Sequence, residues 1–309
     1  MAAALEKKPR IGVALGGGAA LGWAHIGALR ALEDGGITPD VIAGTSIGAL
    51  VGSCSMAGVL GPLEDIARNM SWTRMLGLAD PQVGAPGLFK GGAVQSLMER
   101  YLGSRQIEDL NGSFVAVAAD LISGSEVRIS RGPIASAVRA SISIPGVFLP
   151  VERDGALLVD GGLVNPVPVS AARALGADLV IAIDVTGDYH GRARAAGIGL
   201  VETGVEPPAQ GPAWMRGLAG RLFKRTARRP GLYSVATTSI ALMMRELAET
   251  KMRIDPPDVH VIPAVGHISL VDFDRADELI SCGRAAMSAQ LERLKVALGA
   301  SSARTYIAQ

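Results

Sequence analysis

The stretch from Arg10 to Thr45 constrains this chain more than any other. Arg10-Ile-Gly-Val-Ala-Leu15 reads as a buried strand that runs directly into Gly16-Gly17-Gly18. A helical pattern extends from about Ala20 to Glu33, and Gly35-Gly36 is a double stop signal. Val41-Ile-Ala43 is a second short apolar strand. Strand, glycine loop, helix and strand in this order make a βαβ unit, which builds a parallel sheet and presents ligands at the carboxyl ends of its strands. One sheet edge would then carry both the glycine loop and the turn after Ala43.

That turn is Gly44-Thr45-Ser46-Ile47-Gly48, and it opens a helix of small residues. Glycines two positions before and after a serine let the backbone double back without side-chain collisions, and the turn lifts the hydroxyl clear. The serine also stands at a helix N-terminus, where unpaired N–H groups and the helix dipole favour developing negative charge. This is the signature of a nucleophile elbow. With 39 glycines in 309 residues, the pentapeptide is not specific alone and its meaning depends on the rest of the chain. Val41 to Leu63 is uncharged and long enough to span a bilayer. Its Gly, Ser and Ala content and its breaks at Gly58, Gly61 and Pro62 favour a buried strand and helix instead.

Further elements are expected in order. A polar helix runs from Leu63 to Met75, then a long loop from Gly77 to Gly92 whose Leu78, Val83, Leu88 and Phe89 suit either a cover over a pocket or a plain surface loop. Strands at Phe114–Ala119 and Glu126–Ser130 pair across a Ser-Gly-Ser turn, and Pro133 opens a helix to Ala140. Strands at Leu149–Glu152 and Ala156–Val159 flank the hairpin turn Asp154-Gly155, and the second delivers Asp160-Gly161-Gly162. Asp178 to Val185 is a strongly β-branched strand. Leu232–Lys251 is helical, Val259–Ala264 a short strand, and Phe273–Leu298 one amphipathic closing helix.

A chain that is 49% hydrophobic and 19% charged can bury a large core and lies at the upper end of one domain. The expected organisation is a core over 10–185, a flexible Gly-, Arg- and Pro-rich basic insertion over 186–230, and a helix-strand-helix unit over 231–309 that completes the same domain. A net charge of +1 and a pI near 7.8 point to neither nucleic acid nor an acidic partner. Cys54 and Cys282 have no metal-ligand spacing and read as buried thiols of a reduced compartment. Met1 to Arg10 lacks the apolar run of a signal peptide, so a cytoplasmic location is expected.

A hydrolytic serine needs activation, oxyanion donors and a place for substrate. Gly16-Gly17-Gly18 can converge backbone N–H groups on one point, or can serve only close helix-strand packing. A Walker A loop fails because Gly22 precedes Trp23-Ala24, and a dinucleotide fingerprint fails because the second strand ends without a carboxylate. No metal or cofactor is expected. Of the four histidines, His25, His190, His260 and His267, none sits in a glycine-bounded turn at a strand end. His25, on the first helix, reads as a packed and hydrogen-bonded residue. Asp160 ends a strand and precedes two glycines, which let another group approach closely, although by spacing alone it also reads as a turn aspartate.

Together, Gly17-Gly18-Ala19-Ala20-Leu21-Gly22, Gly44-Thr45-Ser46-Ile47-Gly48 and Asp160-Gly161-Gly162 resemble the ordered motifs of the patatin-like phospholipases. Similarity to the bacterial, neuropathy-target-esterase-like branch extends through Trp23-Ala24-His25-Ile26-Gly27, Ser143-Ile144-Pro145-Gly146-Val147-Phe148 and Val164-Asn165-Pro166-Val167-Pro168, covering roughly the first 185 residues. The resemblance implies an α/β fold of three α/β/α layers around a mainly parallel central sheet. It also implies a Ser-Asp dyad: Ser46 as nucleophile, Asp160 as base, and backbone N–H groups near Gly17, Gly18 and Ala19 as the oxyanion hole. An aspartate of ordinary pKa, about 3.9, is a poor base, so Asp160 has to be desolvated. The implied substrate is a lipid or other acyl ester.

The chain departs from the family where Leu21 replaces a basic residue and Ala19 the third glycine. The first change bears on phosphate preference more than on ester cleavage. An acyltransferase and a catalytically weak lipid-binding module are the alternative readings. No acidic residue occurs between Glu206 and Glu246, and Trp214, Leu218 and Leu222 share helical spacing among Arg216, Arg221, Lys224 and Arg225. Residues 214–229 therefore read either as a basic amphipathic helix on the inner face of a membrane or as a solvated loop.

Overall fold

The computed structural model describes residues 8–71, 74, 80, 87–188 and 232–304. The basic stretch 214–229, His190, Leu78 and Val83 lie outside them. The strands are β1 (Ile11–Leu15), β2 (Val41–Thr45), β3 (Gly87–Phe89), β4 (Ser113–Asp120), β5 (Glu126–Ile129), β6 (Gly146–Phe148), β7 (Val151–Arg153), β8 (Ala156–Asp160), β9 (Leu179–Ile183) and β10 (Val259–Val261). The helices are α1 (Trp23–Asp34), α2 (Ile47–Met56), α3 (Leu60–Arg68), α4 (Gly92–Leu102), α5 (Ile134–Ser141), α6 (Val169–Ala174), α7 (Leu232–Ile254), α8 (Ala276–Ser288) and α9 (Leu291–Arg304).

The main sheet runs β10-β9-β1-β2-β4-β8-β7, with β5 also on β4. The first five of these strands are mutually parallel, and β8, β7 and β5 are antiparallel additions. Period-two alternation sends Ile11, Val13 and Leu15 of β1 and Leu179, Ile181 and Ile183 of β9 into one apolar core with α1, α2, α5 and α8. Ala14, Val180 and Ala182 enter a second core on the opposite face, with residues of α6 and α7. Strands buried on both faces with helices over each make the three-layer α/β/α arrangement. α1 and α8 pack backbone to backbone: a side-chain carbon on Gly27 would lie 1.8 Å from the Ile280 carbonyl oxygen, and one on Gly283 1.8 Å from that of Ala24.

The registers on β4 explain where the site forms. β2 pairs along β4 up to Thr45 opposite Val117, and β8 begins pairing with Asp160 opposite Ala118. β5 covers Ala116 to Ala119 and overlaps both, so it occupies the other edge of β4. β2 and β8 therefore share one edge and meet head to head. Both chains leave the sheet at that meeting point, the first as Ser46 and the second as Asp160.

Several elements differ from the sequence reading. The third helix starts at Leu60 rather than Leu63 and ends at Arg68, because Pro62 falls in its first turn, where no N–H is required. The stretch 41–63 is thus β2, α2 and the start of α3, and no helix among the described residues is long and apolar enough to cross a membrane. The closing helix is two helices, α8 and α9, broken at Ala289-Gln290; the bend buries Leu294 and sets Leu291 against Gly35. Pairing of the last strand stops at Val261 rather than Ala264.

Of the 77–92 segment, the described part is tied down. β3 pairs with β6, Phe89 packs on Phe148 with ring centroids 6.3 Å apart, and the Asp80 carboxylate accepts the N–H groups of Gly91 and Gly92 at 2.7 Å each, capping α4.

Candidate active site

The elbow forms as its sterics demand. Ser46 has φ 56 and ψ −124, a strained conformation held between β2 and α2. A side-chain carbon on Gly44 would lie 2.5 Å from the Ala49 nitrogen, and one on Gly48 2.2 Å from the Leu15 carbonyl oxygen. No larger residue fits either position. The Thr45 hydroxyl donates to the Asn165 carbonyl at 2.7 Å, fixing the approach to the turn.

Ser46 and Asp160, separated by 114 residues in the chain, are in direct contact. The Ser46 hydroxyl donates to Asp160 Oδ2 at 2.5 Å, and the Gly162 N–H donates to Oδ1 at 2.7 Å. Both residues are nearly buried. Burial pushes the Asp160 carboxyl up to about 6, with the bonds from Ser46 and Gly162 offsetting part of the rise. The desolvation that the sequence reading required of this aspartate is present. Among the described residues, no histidine is a hydrogen-bond partner of Ser46 or Asp160.

The glycine loop lies alongside. Gly16 N–H donates to the Ile183 carbonyl at 3.1 Å, Gly17 N–H to that of Pro166 at 2.9 Å, and Ala20 N–H to that of Leu270 at 3.0 Å. Among the described residues, the N–H groups of Gly18 and Ala19 have no partner. Of the three positions expected to supply oxyanion donors, Gly17 thus spends its N–H on holding the loop, while those of Gly18 and Ala19 meet no acceptor among the described residues. Ala19 has φ 48, a left-handed backbone that glycine adopts more cheaply, by about 1 kcal/mol. Leu21, where the resemblance implies a basic residue, is fully buried as a core side chain.

His25 is fully buried on α1, and its Nε2 lies 2.7 Å from the Gly16 carbonyl oxygen, to which it donates. Burial pulls the imidazole down to about 4, so it is neutral and acts as a fixed donor that fastens the loop.

Sequence reasoning missed the contribution of α5. Its Ser141, fully buried, accepts the Ser46 N–H at 2.8 Å and donates to the Val117 carbonyl at 2.6 Å. Two residues on, the Ser143 carbonyl accepts the Asp160 N–H at 2.9 Å. One short segment therefore holds the backbones of both residues. Arg139, also buried, donates to Ser143 Oγ at 2.6 Å and to the carbonyls of Lys90 and Leu149, and its guanidinium lies 5.3 Å from the Phe148 ring. Burial lowers its pKa. The signal for α5 was a run of Arg, Ser and Ser at alternate positions in an otherwise apolar helix end.

Another buried carboxylate, Asp184, lies just beyond β9. It accepts the Thr186 N–H and hydroxyl at 2.8 Å each and faces His260 Nε2 at 3.6 Å. His267 pairs with Glu278 at 2.7 Å on the surface. Among the described residues, no group of three or more His, Cys, Asp and Glu side chains could hold a metal ion.

An elbow serine bonded to a buried carboxylate, at the edge of an α/β/α sheet, defines the class of site. The chain belongs to the patatin-like phospholipase family, whose model matches residues 13–173. It is 40% identical over 191 residues to an NTE family protein of Mycobacterium tuberculosis, a match covering 62% of this chain and 53% of that one. It is 37% identical over 183 residues to the Mus musculus patatin-like phospholipase domain-containing protein 6, covering 57% of this chain and 13% of the mouse protein. These matches fit the bacterial, neuropathy-target-esterase-like branch. The chain spans about half the length of the mycobacterial relative. Among solved structures, VipD from Legionella pneumophila aligns with a TM-score of 0.47 at 13% identity, over 93% of this chain and 67% of that one.

Proposed function

We propose that this protein is a serine acyl-ester hydrolase acting on lipid esters through Ser46 and Asp160. The observation that carries the reading is the 2.5 Å hydrogen bond from the elbow serine to a carboxyl raised to about 6. At neutral pH such a group is ionised and still basic enough to take the Ser46 proton as the hydroxyl oxygen attacks the ester carbonyl. The free N–H groups of Gly18 and Ala19, with Ile47 N–H at the start of α2, receive the oxyanion. Collapse of the tetrahedral intermediate returns the proton from Asp160 to the departing alcohol and leaves an acyl group on Ser46. Water, deprotonated by Asp160, then releases the acid. A base of about 6 activates the Ser46 hydroxyl only modestly, which suffices for attack on an ester carbonyl but less well on the less electrophilic carbonyl of an amide, so esters are favoured over amides.

Family membership supports a lipid substrate, and the buried Leu21 argues against a specific phosphate contact at that position. An acyltransferase of histidine type lacks support, because His25 donates to the loop and titrates near 4. In this reading residues 231–309 complete the catalytic domain, since β10 extends the sheet beyond β9. The test is fluorophosphonate labelling with mass spectrometry of the adduct. Wild type should be labelled on Ser46, Ser46→Ala should not react, and labelling at another residue with retained esterase activity would refute the assignment.

A further inference from the structure

We propose that Met244 is a specificity-determining residue of this site: its thioether roofs the Ser46–Asp160 pair, and its bulk limits the acyl groups that reach Ser46. The inference rests on the reading of Ser46 as nucleophile.

α7 lays one stripe, Ala241, Met244, Ala248 and Met252, at helical spacing against the body of the protein. Ala241, Ala248 and Met252 are buried, and the last two share the second core with Val115, Val117 and Val167. Met244 stands in the same stripe but is only partly buried.

Glycine positions locate the thioether. A side-chain carbon on Gly17 would lie 3.4 Å from Met244 Cε and 3.5 Å from Ser46 Cβ. One on Gly162 would lie 2.7 Å from Met244 Cε, 3.4 Å from its sulfur and 3.0 Å from Asp160 Oδ1. The end of Met244 is therefore within reach of the glycine beside the nucleophile and of the glycine beside the base. The Gly17 position is shared with Thr45 Cγ2, at 3.6 Å, and Ser46 Cβ, so the thioether, the elbow and the glycine loop converge there. An ester whose carbonyl oxygen points at the N–H groups of Gly18 and Ala19 meets this thioether as it settles over Ser46.

The chemistry of methionine suits the position. Its side chain is unbranched, with three rotatable bonds, so it can yield to a linear acyl chain and resist a branched or bulky one. Its helix is anchored on the far side by the Lys251–Glu126 pair at 3.4 Å and by buried Met252, about 12 Å along the axis. The roof is thus a flexible side chain on a held helix. Leu163, directly after Gly162, and Met243, beside Met244, are both exposed.

The experiment compares kcat/KM for p-nitrophenyl acetate, decanoate and pivalate in wild type, Met244→Ala and Met244→Trp, with Tm as the check on folding. Removing the thioether should raise the pivalate-to-acetate and decanoate-to-acetate ratios by about tenfold or more, and tryptophan should lower both. Parallel labelling with small and bulky fluorophosphonates should follow the same order on Ser46. Ratios in Met244→Ala within about twofold of wild type, with Ser46 still labelled, overturn the role of Met244 and leave the nucleophile standing. If no probe labels Ser46 in wild type, the nucleophile reading and this inference fall together. Should the tryptophan variant not fold, the alanine variant decides alone.

Discussion

Asp160 and Asp184 lie at the same edge of one sheet, are 6% and 2% exposed, and titrate in opposite directions. Burial raises both. Among the described residues, only two neutral donors answer it at Asp160, and the carboxyl stays near 6. At Asp184 the His260 ring, then the Thr186 hydroxyl and N–H, more than undo the burial and hold the group below its usual value. Burial alone thus does not set the outcome. Among the described residues, donors to Asp160 are few and its carboxyl stays raised, whereas donors converge on Asp184 and hold it as a structural anchor.

The contrast predicts the effects of mutation, the largest first. Asp160→Asn should lower kcat/KM for ester hydrolysis by about a thousandfold, whereas Asp184→Asn should leave it within about tenfold and cost roughly 1–3 kcal/mol of stability in urea unfolding. A larger activity loss at Asp184 than at Asp160 would reverse the two roles.

Next is pH. In wild type, kcat/KM should fall about tenfold per pH unit below about 6, as Asp160 takes up its proton. Stability carries the opposite sign at the two carboxylates. Because the folded-state pKa of Asp160 is raised, the folded protein keeps a proton that the unfolded chain releases from about 3.8 upward. Its favourable contribution is full below that value and is lost as pH rises through about 6. Asp184, with a lowered pKa, contributes above its unfolded value and loses that contribution on acidification. Asp160→Asn should therefore gain stability relative to wild type at pH 8, on the order of 2 kcal/mol, and much less at pH 4. A wild-type rate profile flat down to about pH 4.5 would break the comparison.

The smallest effect concerns the frame rather than the base. Ser141→Ala leaves the Ser46 N–H without its acceptor, and should lower kcat by about 10- to 100-fold with KM and the pH midpoint unchanged. A shifted midpoint would mean that α5 tunes Asp160 instead of positioning Ser46.

The parts of this molecule that could be read along the chain are those whose physics is local. Gly44 and Gly48 flank Ser46 because the turn leaves no room for side chains, and that requirement is written within five residues. The βαβ start and the hairpin at Asp154-Gly155 arise from periodicity and turn chemistry in the same way. The boundary of α3 and the break between α8 and α9 were not readable. Pro62 is as compatible with the first turn of a helix as with a loop before it, and no Gly or Pro marks Ala289-Gln290.

Asp160 lies between these cases. Its residues alone describe a turn aspartate; its identity as the partner of Ser46 came from resemblance, and its contact with Ser46 comes from the head-to-head meeting of β2 and β8 on β4. The sequence determined an elbow serine, a parallel α/β core and a carboxylate at a strand end, because short-range sterics and side-chain periodicity specify each. Only tertiary structure decided that Gly17 N–H is bound to Pro166, that Ser141 holds the serine, that the end of Met244 comes near Gly17 and Gly162, and that the Asp160 carboxyl is raised while that of Asp184 is lowered. Hydrogen-bond partners, desolvation and opposing charge are properties of neighbours in space, and these neighbours lie from tens to well over a hundred residues away along the chain.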